Sequence, residues 1–181
     1  MDKISKNHYL NYKKALSSKK LFLTPGCHDP LSAKLIEKEK FNFIFIGGFA
    51  LSSGQYGYPD AGIITLSELV SSTRKIQRST NLPCIVDADT GFGGTINIYR
   101  TVRDLADIGV AALIIEDQEF PKKCALTEKV KILNFQESCE RIKAAVKAAK
   151  ENKNQDIGII ARTDAYPVLG IKETVKRIKA F

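Results

Sequence analysis

Three short apolar runs, FIFI at residues 43–46, ALII at residues 112–115 and IGII at residues 157–160, decide the fold class. None of them alternates apolar with polar residues, as a strand with one solvent-exposed face would. Near-continuous apolar strands are typical of parallel sheets, because helices cover both faces of such sheets. Stretches with a helical pattern lie between the runs, and this alternation predicts an α/β fold.

A pattern of apolar strand, turn with Gly or Asp, and helix repeats along the chain. The predicted strands are Leu21–Thr24, Phe43–Ile46, Cys84–Ala88, Ala112–Ile115 and Ile157–Arg162. The predicted helices are Asn7–Ser18, Pro30–Lys38, Leu66–Arg78, Ile96–Ile108, Phe135–Lys150 and Ile171–Phe181. Two architectures fit this order: an open doubly wound sheet, or part of a closed eight-stranded β/α barrel. No strand is followed by GxGxxG, the dinucleotide-binding fingerprint.

Composition and charge exclude several classes of protein. The chain has 181 residues, of which 44% are hydrophobic and 27% charged, so it can form a packed core. Lys and Arg outnumber Asp and Glu by 28 to 20, which gives a net charge of +8. Most of the lysines beyond the N-terminus stand among glutamates at helical positions, so we expect a solvated basic surface and no nucleic-acid partner.

The sequence also indicates the cellular compartment. No apolar run approaches the roughly 20 residues that cross a bilayer, and residues 1–20 lack the apolar stretch of a secretory signal. We therefore expect a cytoplasmic protein without a membrane partner. The cysteines show no CxxC spacing, so neither a zinc site nor a disulfide framework is expected. They are Cys27, Cys84, Cys124 and Cys139.

Acidic residues stand where neighbouring strands end. Asp87 and Asp89 end one strand, and Glu116 follows the next. Ligands of parallel α/β folds bind at the carboxyl ends of the strands. Asp87 and Asp89 are two apart in an extended segment, so we expect both side chains on one face. Three carboxylates around one point predict bound Mg²⁺, or Mn²⁺, whereas caps of helix N-termini are the alternative interpretation.

Two further residues suggest chemistry. Cys124 lies beside Lys122 and Lys123 in a long loop, and their charge would favour a reactive thiolate suited to proton transfer. An inert loop cysteine is equally compatible with the pattern. Arg162 ends the strand IGIIAR and requires an anion, which a carboxylate substrate would supply.

These motifs resemble a known superfamily. In order and spacing, LTPGCHDPLSAKL, FIGG, YGYPDAG, DADTGFGG, IEDQ, PKKC and ARTDA resemble the isocitrate lyase and phosphoenolpyruvate mutase superfamily. The resemblance is strongest to its short members of the methylisocitrate lyase and 2,3-dimethylmalate lyase type. It runs from about Leu21 to Phe181, and the combination of DADTGFG, IEDQ and PKKC is specific.

The resemblance implies a (β/α)8 barrel that binds Mg²⁺ and a 2-oxo or 2-hydroxy carboxylic acid. It assigns metal binding to Asp87, Asp89 and Glu116. It makes Asp60 the family's substrate-binding acid on the loop after the second strand. It makes Gly47 and Gly48 backbone donors to the oxo acid. It makes Cys124 the residue that moves a proton at carbon, and Arg162 the residue that grips a substrate carboxylate.

The chain departs from the family pattern at three points. Ala125 and Leu126 replace the Gly-His that usually follows the cysteine, and Ile46 replaces a serine before the two glycines. Residues 1–20 are expected to form an N-terminal helix, and residues 21–181 about the first five β/α units of a barrel, so a truncated chain is expected. Such a chain alone should be unstable and inactive, because open strand edges and an uncovered inner face would remain.

The resemblance implies a Mg-dependent carbon–carbon lyase with a small carboxylate as its substrate. It would cleave a methylisocitrate-like 2-hydroxy di- or tricarboxylate by retro-aldol chemistry into a 2-oxo acid such as pyruvate and a second carboxylate. A homo-oligomer, a tetramer in the family, is expected at full length. The alternatives are a phosphonomutase or oxo-acid decarboxylase of the same superfamily, or an inactive truncated homologue.

Overall fold

The computed structural model describes residues 3–125 and 129–181, with side chains described from His8 onward. Its sheet is parallel and contains β1 (Ile44–Ile46), β2 (Cys84–Asp87), β3 (Ala112–Glu116) and β4 (Gly158–Arg162). The strands lie side by side in chain order. A doubly wound sheet reverses its strand order at a switch point, whereas barrel strands follow one another around the ring. The observed order is that of a barrel.

Helices connect and cover the strands. They are α1 (Lys3–Ser17), α2 (Pro30–Lys38), α3 (Gly48–Tyr56), α4 (Leu66–Ser79), α5 (Thr95–Ala106), α6 (Phe135–Glu151) and α7 (Tyr166–Ala180). Side chains at the N-caps fix several starts: Asp29 caps α2, Thr65 forms a capping box with Glu68 on α4, and Asn134 caps α6. None of the described helices is both long and apolar enough to cross a membrane.

The core lies between the sheet and the helices α4, α5 and α6. Val86 of β2 and Leu113 of β3 are fully buried, as are Ile76 of α4 and Leu105 of α5. The residues of β4 after Gly158 are only half-buried. Within the described residues, no further strand pairs with the outer edge of β4. The carboxyl ends of all the strands therefore meet at one edge, with β4 at its open side.

One predicted strand is wrong. Leu21–Thr24 is not a strand, and Leu21 is 90% exposed. Pairing with β1 occurs just downstream, where Phe45 N donates to Pro25 O at 2.9 Å and Cys27 N donates to Phe45 O at 2.7 Å. The prediction rested on the apolar residues of this run, but within the described residues nothing packs over Leu21. Helix α7 begins with a turn at Tyr166, where Pro167 suits a first helical turn, but Gly170 interrupts it with a φ of 76°, and its main part starts at Ile171 as predicted.

Helix α3 was not predicted from the sequence. Its sequence GFALSSGQY contains small and polar residues without a clear apolar stripe, which is why no periodicity marks it. It begins at Gly48, immediately after Gly47, and ends at Gly57, whose φ of 67° is left-handed. This helix places the two glycines of FIGG at the carboxyl edge of the sheet.

Candidate active site

Charged side chains meet where β2, β3 and β4 end. Asp87, Glu116 and Arg162 are the last residues of these strands, and Glu116 stands directly opposite Arg162 in the register. Nη1 of Arg162 lies 3.1 Å from Oε2 of Glu116 and 3.6 Å from Oδ2 of Asp87. Strand pairing therefore joins the first part of the predicted site, as residues far apart in sequence share one sheet edge.

Asp89 does not extend the strand, so the extended segment expected from Asp87 to Asp89 is wrong. Its φ is 50°, in the left-handed region, so the backbone turns immediately after β2. The turn is held by the Asp89 amide, which donates to Oδ1 of Asp87 at 3.0 Å. Asp89 is therefore directed to a different cation from the one that contacts Asp87.

That cation is Lys122. Its ammonium nitrogen lies 2.6 Å from Oδ1 of Asp89 and 2.6 Å from Oδ1 of Asp60, and its side chain is 5% exposed. Burial lowers the pKa of Lys122, but the two carboxylates raise it more, so the ammonium stays charged. The sequence analysis treated Lys122 as a neighbour that activates Cys124. The structure instead assigns its charge to two buried acids.

Burial also sets the acid–base properties of the carboxyl groups. Burial, reinforced by the charge of Asp87, raises the pKa of Asp89 to about 6 despite Lys122. Burial raises the pKa of Glu116 to about 8, although Arg162 opposes the shift. Neither oxygen of the Glu116 carboxyl accepts a hydrogen bond from the described residues. Glu116 is therefore a buried acid that contacts the Arg162 guanidinium but accepts no well-aligned hydrogen bond from the described residues.

Gly47 and Gly48 form the start of α3 beside this cluster. Gly47 is the N-cap, and no side chain caps the helix. A Cβ on Gly48 would lie 2.6 Å from Oδ1 of Asp89 and 3.3 Å from Nζ of Lys122, so only glycine fits there. The first amides of a helix lack intrahelical acceptors and attract anions. The predicted role of these glycines as donors remains a prediction that this placement permits.

Cys124 lies in the loop between β3 and α6 and is half-buried. Its two preceding residues attach the loop to the cluster, Lys122 through its ammonium and Lys123 through its backbone amide. The Lys123 amide donates to Oε1 of Gln118 at 3.0 Å. Ala125 is within the described residues, whereas Leu126, the second departure from the family motif, lies outside them.

A further set of buried polar groups supports Arg162. Asp164 accepts two hydrogen bonds from the guanidinium, at 3.0 and 2.8 Å. Asp117 holds the backbone of Asp164 by accepting its amide at 3.0 Å, and it accepts from Arg177 of α7 at 3.0 Å. The sequence analysis did not identify Arg177 or the supporting role of Asp117. The sequence around Arg177 does not indicate that this side chain is buried in an ion pair, because its partner Asp117 is 60 residues away.

The donor chemistry of the cluster fits a divalent cation. Asp87, Asp89 and Glu116 supply oxygen ligands, which Mg²⁺ prefers, and Glu116 has both oxygens without a hydrogen bond. Among the described residues, however, no three acid, His or Cys side chains converge closely enough to ligate one ion. Asp87 and Glu116 are instead paired with Arg162, and Asp89 with Lys122. The residues fit the ion by type, but one ion could contact all three only if their side chains moved closer together.

Parallel strands in chain order, with a charged site at their carboxyl ends, define the β/α-barrel class. The family described as phosphoenolpyruvate phosphomutase matches residues 13–181, and the chain belongs to it. The chain is 39% identical over 169 residues to 2,3-dimethylmalate lyase of Eubacterium barkeri, covering 93% of this chain and 57% of that protein. It is 35% identical over 170 residues to 2-methylisocitrate lyase of Bacillus subtilis (strain 168), covering 94% and 54%.

Solved structures agree with this relationship. A crystal structure of 2,3-dimethylmalate lyase matches with a TM-score of 0.90 and 33% identity, over 99% of this chain and 59% of that one. A phosphonopyruvate hydrolase complex with oxalate and Mg²⁺ matches with a TM-score of 0.84 and 33% identity, over 96% and 58%. The predicted superfamily and barrel-type fold are confirmed. The chain spans between half and two thirds of each of these relatives.

Proposed function

We propose that the protein is a Mg-dependent carbon–carbon lyase that cleaves a 2-hydroxy di- or tricarboxylate, methylisocitrate-like, into a 2-oxo acid such as pyruvate and a second carboxylate. The observation that carries the proposal is Glu116, a buried carboxyl without hydrogen bonds at a strand end, beside Arg162 and Asp87. Similarity to 2,3-dimethylmalate lyase and 2-methylisocitrate lyase supports the reaction class.

Asp87, Asp89 and Glu116 would hold the metal. When bound, Mg²⁺ would supply Lewis-acid stabilisation of the negative charge on the departing 2-oxo acid. A relative solved with Mg²⁺ and oxalate, itself a two-carbon dicarboxylate, supports this assignment. Mn²⁺ prefers similar oxygen ligands and is the alternative ion.

The chain's own residues would bind and orient the substrate. Arg162, which is partly exposed, would pair with one substrate carboxylate, and the amides of Gly47 and Gly48 would donate to the oxo-acid end. The buried ammonium of Lys122 would hold Asp60 and Asp89 in place. In the retro-aldol step the substrate hydroxyl would pass its proton to one of the carboxylates of the site and become a carbonyl while the carbon–carbon bond breaks. The thiol of Cys124 would then protonate the released carbanion.

We further propose the domain arrangement that the sequence suggested. Residues 1–20, which contain α1, would precede a catalytic barrel domain whose first part is residues 21–181. His8 of α1 contacts the carbonyls of Asn81 and Gly109 at 3.1 Å, so this helix packs onto the barrel part. A cytoplasmic homo-oligomer acting on small carboxylates is the proposal for the whole protein.

A phosphonomutase or oxo-acid decarboxylase of the same superfamily is the second candidate. It is favoured by the similarity to a phosphonopyruvate hydrolase, whose substrate is also a small oxo acid. Such chemistry could use the same acids and Arg162 without a thiol. The role of Cys124 therefore separates the two candidates, and an inactive homologue would show neither activity.

The test measures turnover of 2-methylisocitrate, 2,3-dimethylmalate and phosphonopyruvate, with substrates and products identified by proton and phosphorus NMR. We expect cleavage of a 2-hydroxy carboxylate, with kcat reduced at least about 100-fold by Cys124→Ala and unchanged by Cys139→Ala on α6. Turnover of phosphonopyruvate that survives Cys124→Ala would favour the second candidate. No turnover of any of them by the full-length protein would refute the lyase, whereas residues 1–181 alone are expected to be inactive.

Metal binding is tested separately by calorimetric titration with Mg²⁺. Asp87→Ala should weaken the affinity at least about tenfold, because a buried oxygen ligand is lost. Asp107→Ala, at the C-cap of α5, is the matched control and should leave the affinity unchanged. An unchanged affinity in Asp87→Ala would refute the assignment.

A further inference from the structure

Gln118 is buried at the base of the loop that carries Cys124. Its side chain is about 1% exposed. Its backbone forms an isolated antiparallel bridge with Ile132, and the next amide, Glu119 N, donates to Lys131 O at 2.8 Å. The bridge closes the loop between residues 119 and 131 at its base. The Gln118 side chain is therefore held at the point where the loop leaves the sheet.

The amide of Gln118 joins two parts of the candidate site. Its Nε2 donates to Oδ2 of Asp164 at 2.7 Å, and its Oε1 accepts from the amide of Lys123 at 3.0 Å. Chemistry fixes this orientation, because an ionised carboxylate only accepts and a backbone amide only donates. Glutamine can make both contacts, whereas glutamate lacks the donor, and methionine lacks both the donor and the acceptor.

Each contact leads directly to a predicted site residue. Asp164 holds Arg162 by two hydrogen bonds, and Lys123 is the residue before Cys124. On the other side of the loop, Lys122 is anchored to Asp60 and Asp89. The two residues that precede Cys124 are therefore fixed in different directions, one by a side chain and one by a backbone amide.

We propose that Gln118 is a positioning residue, which fixes the Lys123–Cys124 segment relative to Arg162 through the Gln118–Asp164 and Gln118–Lys123 hydrogen bonds. The thiol and the guanidinium would then face one substrate at a set separation. The catalytic part of this inference rests on the proposed lyase function. The positional part does not, because the reactivity of Cys124 can be measured without turnover.

The test uses Gln118→Met, which keeps the side-chain length and removes both hydrogen bonds. The alkylation rate of Cys124 by iodoacetamide near neutral pH is mapped by mass spectrometry and divided by the rate of Cys139 in the same molecule. We expect Gln118→Met to increase this ratio about fivefold, because a released loop exposes the half-buried thiol. Gln118→Glu keeps the acceptor for Lys123 but places a second buried carboxylate against Asp164, so it should raise the ratio as well.

Gln136→Met on the exposed side of α6 is the matched control, since its amide donates to Glu140 of the same helix at 2.9 Å. Equal ratios in Gln118→Met and Gln136→Met would overturn the proposal. Thermal melting first establishes that each variant is folded at the assay temperature.

Turnover gives a second measurement. Gln118→Met should raise KM about threefold or more, because Asp164 no longer holds Arg162 as firmly, whereas a loss of folded enzyme lowers kcat alone. An unchanged KM would overturn the catalytic part. If the unchanged protein shows no lyase activity, the proposed function fails, and the alkylation ratios still decide whether Gln118 positions Cys124.

Discussion

Lys122 Nζ lies 2.6 Å from Oδ1 of Asp89 in an ion pair that is almost fully buried. The pair joins the loop after β3 to the turn after β2, and the same ammonium contacts Asp60 from the loop after α3. Three loops that approach the site from different strands are thus held by one charge. Replacement or distortion of this contact should affect both the stability and the site.

Lys122→Met should lower the free energy of unfolding by about 3–5 kcal/mol, because two buried carboxylates lose their cation. Denaturant unfolding measures the change. Lys131→Met, at an exposed position of the same loop, should change the free energy by less than about 0.5 kcal/mol. Similar stability of the two variants would contradict the importance of the buried ion pair.

Gly48→Ala should disturb the same contact by steric means. The added methyl group would lie 2.6 Å from Oδ1 of Asp89, so the start of α3 or the carboxylate must shift. We expect a cost of about 1–3 kcal/mol in unfolding free energy and weaker Mg²⁺ binding in calorimetry. Gly26→Ala is the control, because nothing described lies within 4 Å of the position that its methyl group would take. Equal effects of the two substitutions would argue against close packing at Gly48.

Without added divalent cation, the free energy of unfolding should fall as pH rises from about 5 to about 8. Burial raises the pKa of Glu116 to about 8 and that of Asp89 to about 6. In the unfolded chain such groups lose their protons near pH 4, so over this range the folded state holds protons that the unfolded state releases. Rising pH therefore favours unfolding.

Denaturant titrations at several pH values measure this slope. Glu116→Gln should flatten it, since a neutral amide does not titrate, and saturating Mg²⁺ should restore stability at the alkaline end. A slope that is the same in Glu116→Gln and the unchanged protein would show that another group is responsible.

Arg177→Met should lower the unfolding free energy by about 3–5 kcal/mol. Arg177 is 2% exposed and donates to Asp117, Ser138 and the carbonyl of Leu133. Its loss leaves the Asp117 carboxylate buried without its cation. Arg74→Met on the exposed side of α4 is the matched control, measured by the same denaturant unfolding. If both variants were equally stable, α7 would not be anchored through this pair.

Cys124 should be alkylated faster than the other three cysteines near neutral pH. Cys27, Cys84 and Cys139 are buried, and burial raises the pKa of Cys27 to about 11 and that of Cys84 well above its usual value. Mass spectrometric mapping after brief exposure to iodoacetamide measures the order. Faster labelling of Cys27 or Cys84 would contradict the prediction.

The sequence predicted much of the architecture, because strands that are buried on both faces have near-continuous apolar sequences. The apolar runs of β1, β2, β3 and β4 follow from two-sided coverage, and the motifs that follow them identified the superfamily. The predicted strand at Leu21–Thr24 was wrong because an apolar run does not show what packs over it. Helix α3 went unpredicted because its small residues carry no periodic stripe.

Only part of the candidate site could be predicted from the sequence. Its residues at strand ends, Asp87, Glu116 and Arg162, could be grouped from sequence, because parallel strands end at one edge. The roles proposed for them, and for Cys124, Gly47 and Gly48, stay predictions. The extended backbone expected at Asp89 was wrong, since this residue is left-handed, and only the structure shows that its carboxylate pairs with Lys122.

What the sequence determined by itself is therefore the order of strands and helices, the family, and the acids that stand at the strand ends. Only the tertiary structure decided which cation meets which acid: Lys122 with Asp60 and Asp89, Arg162 with Glu116, and Arg177 with Asp117. The physical reason is distance along the chain. Hydrophobic periodicity acts over a few residues, whereas a buried charge takes its partner from whichever loop or helix the fold brings within contact distance.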